Sequence, residues 1–299
     1  MQWKPIDIED RETLEGFFRS EELSVSDFSF TNLYLWHFSR SISYAIIEDL
    51  LCIKTQYHGE HPFLFFPLGK GEKRGVIERL MECFESRAIP FTMRSLGEEM
   101  KDELERLMPE KFEFIYNRDR SDYVYLTEEL IELKGRKFHK KKNHLNRFFE
   151  LYPDFSYESL SMENVDELLE AWKLWFGRIA DEANEGLKNE YIGIVETLKH
   201  FGKMSYKGGI LRVKGKIVAF TLGEQLNSDT VVVHIEKADT EYHGAYQAIN
   251  QQFLANEWSH LTYVNREEDL GIEGLRRAKL SYQPSHLIDK YNVTPKPQS

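Results

Sequence analysis

Residues 206–264 constrain this chain more than any other part of it. Three β-rich runs, 206–215, 216–226 and 229–236, are separated by Lys214-Gly215 and Asn227-Ser228-Asp229, which read as short hairpin turns. Residues 237–246 then lead into 247–258, and Ala245, Ala248, Ile249, Phe253, Leu254 and Trp258 fall at helical spacing. A fourth strand is expected at 261–264. A meander, a small-residue turn, a helix and a further strand predict a mixed sheet with one crossover.

That order also makes an anion cradle. The first turn of a helix carries free N–H groups and the positive end of the dipole, so a phosphate or a developing oxyanion is stabilised there. Gly244 and Ala245 allow close approach to the backbone. The arrangement resembles the acyl-CoA-binding half of the GNAT acyltransferases, where the turn after the fourth strand holds a pyrophosphate. Their pattern is Arg/Gln-x-x-Gly-x-Gly/Ala. Glu241-Tyr-His-Gly244-Ala245-Tyr246 meets it in part, without the leading basic or amide residue and without the second glycine in its usual place. The resemblance implies coenzyme A or an acyl-CoA as cofactor, held by Lys237, Tyr242, His243, Gly244, Ala245, Tyr246 and Gln247. A helix start with a packing glycine is the alternative, and both stand at this stage.

A chain of 299 residues is comfortable for two domains of about 150 each. Its 13% aromatic content fits a packed globular protein. The net charge of −11 disfavours a general nucleic-acid binder without excluding a local basic site. Cys52 and Cys83 lie in apolar surroundings, with no metal-ligand spacing, and are expected to be buried free thiols of a reducing compartment. There is no signal-like apolar region near the N-terminus and no apolar run of the roughly 20 residues that cross a bilayer. A cytoplasmic protein is expected.

Along the first half, helices are expected at the end of 5–19 and over 31–38, 75–87 and 98–108. Strands are expected at 42–47, 50–56, 62–67 and 90–94, with two more within 111–125. The same order of elements returns in the second half, after a strand at 154–160 and helices at 164–179 and 187–200. Two mixed α/β (α+β) domains of one plan are therefore predicted: a tandem GNAT-like fold. The expected limits are 1–133, a basic connecting helix over 134–152, and 153–299 holding the donor site. In the connecting stretch Arg136, Lys137, Lys140, Lys141, Lys142 and Arg147 are the densest positive charge, above Phe138, Leu145, Phe148 and Phe149. It reads either as a solvated face or as an anion site for a polyphosphate, a tRNA acceptor end or a lipid headgroup.

The segment Asn265-Arg-Glu-Glu-Asp-Leu-Gly-Ile-Glu-Gly-Leu-Arg-Arg-Ala-Lys279, with Ser281-Tyr-Gln-Pro284 behind it, is the most distinctive text. Together with the 236–246 turn and Leu133-Lys-Gly-Arg-Lys137, it resembles the C-terminal domain of phosphatidylglycerol lysyltransferases, especially stand-alone bacterial members. These are similar to Fem-type aminoacyl transferases with two GNAT folds. The resemblance implies transfer of an acyl or aminoacyl group, from acyl-CoA or aminoacyl-tRNA, directly to an amine or hydroxyl acceptor such as a small molecule, a peptide or a lipid headgroup. Acyl transfer needs a held donor, a base and an acid or hydrogen-bond donor for the leaving group. Glu236, at a strand end beside the turn, is the candidate base, Tyr282 the candidate acid, and Asp269 a further candidate catalytic group. Asn265, Glu267, Glu268, Arg276 and Lys279 are candidate substrate-binding residues. Each has a structural alternative: a salt-bridged strand end, core packing, or capping of a helix starting near Ile272. No serine or cysteine is paired with a histidine, and no metal site is expected. A protein that binds a ligand or partner without catalysis is the alternative from another class.

Overall fold

The computed structural model describes residues 2–297, in two compact units; within the described residues the first takes in 2–122 and 288–297 and the second 123–287.

In the first unit a short strand, β1 (Lys4–Pro5), leads into helices α1 (Arg11–Ser20) and α2 (Phe30–Trp36). Strands β2 (Arg40–Ile47) and β3 (Leu50–Tyr57) form a hairpin whose turn residues Glu48 and Asp49 both have positive φ, 49° and 63°. Two positive φ values match the twist of the flanking strands. Then come β4 (Phe63–Leu64), β5 (Leu68–Gly69), α3 (Lys73–Glu85), β6 (Met93–Leu96), α4 (Glu98–Leu107) and β7 (Phe112–Tyr116). β6 lies parallel to β4 across the α3 crossover.

The second unit contains β8 (Asp122–Leu126), α5 (Thr127–Glu132), α6 (His139–Leu151), β9 (Ser156–Ser159), α7 (Val165–Gly177) and α8 (Glu185–Lys199). There follow the meander β10 (Lys207–Val213), β11 (Lys216–Gln225) and β12 (Thr230–Ala238), then α9 (Ala245–Phe253), β13 (Tyr263–Asn265), α10 (Glu273–Leu280) and β14 (His286–Ile288). The sheet order is β14-β8-β13-β12-β11-β10-β9, with β12 and β13 parallel and the rest of the meander antiparallel. The last strand, β15 (Tyr291–Pro295), belongs to the first unit's sheet, between β6 and β7. Both sheets carry the meander–helix–parallel-strand plan, so the chain has the expected tandem GNAT-like fold.

The expected limits change. The first unit ends at 122 rather than 133, and it recovers 288–297. The basic stretch is part of the second unit, where Leu133, Phe138, Leu145 and Phe148 join the same core as Ala248, Ile249 and Phe253 of α9. Strand pairing between residues far apart in sequence sets these boundaries, and local composition carries no trace of it. The strand expected over 62–67 pairs only at Phe63–Leu64 and again at Leu68–Gly69, because Pro62 and Pro67 have no N–H for a ladder. The strand expected at 90–94 lies at Met93–Leu96. The strands β14 and β15 and the helix α5 were not anticipated. Cys52 is buried as expected, whereas Cys83 is partly exposed.

Candidate functional site

The site begins where β12 and β13 part. They pair only at Thr230, Val231 and Val232 against Tyr263, Val264 and Asn265. Beyond that β12 runs on to Ala238, while the chain after Asn265 turns away through Glu267, whose φ is 57°. Parallel strands that diverge leave a gap, and here charged side chains cross it as two rungs. His234 Nδ1 lies 2.7 Å from Glu267, and Arg266 Nη2 donates to Glu236 at 2.9 Å. The other histidine nitrogen lies 3.0 Å from Glu224 of β11. His234 is the extra residue of a bulge, since Ile235 opposes Leu222 and Val233 opposes Gly223. A bulge re-aims a side chain out of the alternation, which is how His234 reaches both carboxylates. Burial works against its charge, but the two carboxylates prevail and hold its pKa up at about 9. The second oxygen of Glu236 accepts from Asn250 of α9 at 2.8 Å.

Arg266 also lies over aromatic rings. Its guanidinium is 4.8 Å from the Tyr282 centroid and 5.8 Å from that of Tyr125. Lys141 of α6 puts its ammonium 4.2 Å from the same Tyr282 ring. Burial pushes the Tyr282 phenol up to about 12, against Arg266 and against hydrogen bonds with Gln247 and Arg266. Lys141 is displaced downwards, first by burial and then by Arg266. Glu236, Tyr282 and Gln247, expected to share a site, are thus brought together. Arg266, Asn250, Lys141 and Tyr125 complete the cluster. Arg266 lies in the distinctive segment without an expected role; its position straight after a strand, between an asparagine and three acids, is the signal the sequence offers.

The rest of that segment is scaffold. Asn265 is buried, and its side-chain oxygen accepts from the Glu267 amide at 2.8 Å. Asp269 is fully buried. It accepts from Tyr123, from the Gly271 amide at 2.9 Å, and from Nε and Nη2 of Arg276, each at 2.8 Å. Burial would raise its carboxyl, but these donors hold it well below the usual carboxylate range. A carboxylate so engaged keeps the loop in shape, and Arg276 is its partner; the expectation of a catalytic Asp269 gives way to this one. The Lys279 ammonium donates to the backbone oxygens of Arg266 and Glu267, and its own carbonyl accepts from Tyr125 at 2.9 Å. Glu268 is partly buried beside these residues, and Arg277 is exposed, 3.8 Å from Glu273. Ile272 is the residue before α10, as expected.

The turn before α9 is covered. Gly244 has φ 83°, and a Cβ there would lie 2.4 Å from the carbonyl oxygen of His144 and 2.9 Å from Phe148, both of α6. The same helix sets His144 3.3 Å from His243, and just beyond it the Tyr152 ring is 5.4 Å from that of Tyr242. Ala245 is buried, with its amide given to Tyr242 at 3.1 Å. The close approach that the glycine permits is therefore the approach of α6. Lys237 points to Glu190 of α8 at 2.7 Å, and Tyr246 is exposed. The six basic residues divide. Lys137 and Arg147 pair with Glu129 at 2.6 Å and Glu150 at 3.2 Å, and Lys141 turns in to Tyr282. Arg136, Lys140 and Lys142 stay exposed, with no ion pair among the described residues. Trp172 and Trp175 are core residues against Phe220. Among the described residues no group of three or more His, Cys, Asp or Glu side chains is placed to hold a metal ion, and no helix is long and apolar enough to cross a membrane.

The fold and this strand gap define a protein of the GNAT-like class. Residues 18–294 match the family model of the phosphatidylglycerol lysyltransferase C-terminal domain, and the chain belongs to that family. It is similar to a solved structure of a conserved protein of unknown function from Bacteroides thetaiotaomicron VPI-5482, with 39% identity and a TM-score of 0.91 over 99% of this chain and 100% of that one. L-PGS from Bacillus licheniformis shares the fold, at 16% identity and a TM-score of 0.64 over 97% of this chain and 93% of that chain. An uncharacterised protein of Mycoplasmoides gallisepticum is 26% identical over 180 residues, 60% of this chain. The match spans 58% of that relative's length.

Proposed function

We propose that the chain transfers an aminoacyl group from a charged tRNA to an amine or hydroxyl acceptor, at the Arg266–Glu236–Tyr282 cluster. The carrying observation is that α6 covers the Gly244 turn where a GNAT-like fold would cradle the pyrophosphate of coenzyme A. Coenzyme A fits these residues poorly, and no step is routed through it. An aminoacyl ester needs no pyrophosphate cradle, and Arg136, Lys140 and Lys142 offer exposed cations for RNA phosphates.

The chemistry of Tyr282 supports an ester donor. A neutral acceptor attacks the ester carbonyl, the carbon–oxygen bond to ribose breaks, and the departing alkoxide needs a proton. A phenol near pKa 12 gives one to an alkoxide readily. It is a poor donor to a thiolate, whose conjugate acid lies near about 8.5. Tyr282 gives its proton to the ribose oxygen and takes the one the acceptor loses, so it returns to its starting form. Glu236 fixes Arg266, and Arg266 fixes the Tyr282 hydroxyl. The occupation of both Glu236 oxygens favours this positioning role over that of a base. It is also the observation behind a second reading, a protein that binds its ligand without catalysis.

The test is incubation of the protein with tRNA carrying a radiolabelled aminoacyl group and a panel of amine and hydroxyl acceptors. Thermal stabilisation by charged tRNA, uncharged tRNA, acetyl-CoA and free CoA is measured in parallel. A ligand at 100 times its Kd adds about 2.7 kcal/mol, a readable shift of the midpoint. Stabilisation by charged tRNA with acceptor-dependent discharge supports the proposal, and Tyr282→Phe should then slow discharge by roughly 10²–10⁴-fold. Stabilisation without discharge supports the binding reading. Stabilisation by acetyl-CoA alone overturns both donor arguments.

A further inference from the structure

We infer that β7 (Phe112–Tyr116), at the end of the first unit's sheet, is an interface on which a second copy of this chain pairs antiparallel about Phe114. The first ground is backbone without a partner. β15 runs along one side of β7, and among the described residues no strand runs along the other. The Lys111 carbonyl accepts from the Lys296 amide and the Asn117 amide donates to the Lys290 carbonyl, each at 2.9 Å. Residues 111, 113, 115 and 117 therefore turn their N–H and C=O groups to β15, and those of Phe112, Phe114 and Tyr116 turn outward. A row of such groups is a template for another strand.

The second ground is the contrast with the other sheet ends. Edges are ordinarily blunted by brevity, charge or proline. At the far end of the same sheet β1 has two residues, Lys4 and Pro5. In the second unit β14 has three residues, and Glu158 of β9 is ion-paired with Arg212. β7 has five, Phe-Glu-Phe-Ile-Tyr, of high strand propensity, with Ile115 and Tyr116 49% and 44% exposed. The third ground favours a second copy as the partner. A two-fold at Phe114 pairs Phe114 with itself and Phe112 with Tyr116, so every outward residue exchanges both its bonds. It sets Ile115 of one copy against Glu113 of the other, and at the strand ends Glu110 falls towards Arg118, opposite in charge. Moving the axis to Glu113 would oppose two carboxylates directly, which is destabilising. Moving it to Ile115 would leave Phe112 beyond the end of the opposing strand.

This interface does not rest on the transfer reading, and the mass of the whole chain in solution tests it. A strand pair about 17 Å long is small beside a standard interface, so association is expected at micromolar concentration and above. Sedimentation equilibrium from micromolar to millimolar protein should show the mass of one chain rising to that of two. Residues 113 and 115 meet at a pair without hydrogen bonds, where side chains come closest. Ile115→Glu sets like charges there, twice by symmetry, and should weaken the dimer at least about tenfold. Ile115→Lys sets a lysine against Glu113 of the other copy and should hold or strengthen it. Neither should move the thermal midpoint, because Ile115 is half exposed. A dimer that Ile115→Glu weakens and Ile115→Lys keeps supports the inference. A monomer at every concentration would overturn it and leave the edge to an extended segment of another protein. A dimer indifferent to Ile115→Glu, or weakened alike by both substitutions, would also overturn it, since the contact would then lie elsewhere or in another register.

Discussion

Replacing Gly244 by alanine separates the two meanings of the glycine before α9. If it serves α6, the substitution acts on stability; if it serves a ligand, it acts on binding alone. The structure supplies two costs. At φ 83° an alanine pays about 1–2 kcal/mol for left-handed backbone. The new Cβ also overlaps a backbone oxygen at 2.4 Å, so α6 must shift as a body, an overpacking cost of about 1–3 kcal/mol. The expected loss is about 2–5 kcal/mol, a large share of the roughly 5–15 kcal/mol that holds a typical domain. Because the chain has two compact units, a single melting midpoint would mix them. Native-state hydrogen exchange of the β10, β11 and β12 amides reads the second unit by itself. Gly274→Ala is the control, since a Cβ there meets nothing within 4 Å and φ is not left-handed. In a helix it should be neutral or stabilising by up to about 1 kcal/mol. Loss of less than about 0.5 kcal/mol in Gly244→Ala would refute the packing argument and restore the ligand cradle.

Three further outcomes follow from the site. His234 has a folded pKa near 9 against about 6.5 unfolded, so its stabilisation is complete below pH 6.5 and fades as pH rises through 9. Urea unfolding between those limits should lose a few kcal/mol, and His234→Gln should flatten that slope; an unchanged slope would mean the imidazole is neutral. Asp269→Asn should loosen the 266–281 segment and cost about 2–3 kcal/mol, seen as faster proteolysis there, because Arg276 and the Gly271 amide lose a charged acceptor. Wild-type stability in that variant would return Asp269 to the list of reacting groups. Lys140→Ala and Lys142→Ala should each reduce the salt dependence of charged-tRNA binding by about one ion, leaving thermal stability alone. An unaltered salt slope would place the RNA elsewhere.

Local pattern carried much of this protein. The meander and helix of the second unit were legible because turn residues punctuate them, with Lys214 and Gly215 adopting φ 50° and 76°. The start of α10 near Ile272 was legible for the same kind of reason, and so was a distinctive segment at 265–284. Periodicity placed Leu145 and Phe148 beneath the charges of α6, where they pack against α9.

Tertiary structure decided what those elements mean. Gly244 could face a phosphate or a helix, and only the position of α6, about a hundred residues earlier, selects the helix. In sequence Asp269 and Arg266 are charges of one loop, and only Asp269 stands out as a candidate catalytic group. Burial on the side of Tyr123 and Arg276 makes Asp269 a brace, while the diverging β12 turns Arg266 towards Glu236 and Tyr282. His234 looked like one more residue of an apolar strand until a bulge aimed it at two carboxylates. The return of β15 to the first sheet was invisible for a related reason: strand pairing is a contact between distant segments, and its energy resides in neither segment alone. Sequence set most of the elements, their order and the family. The partner of each charge was fixed by packing, because a side chain's role depends on what distant chain lies across from it.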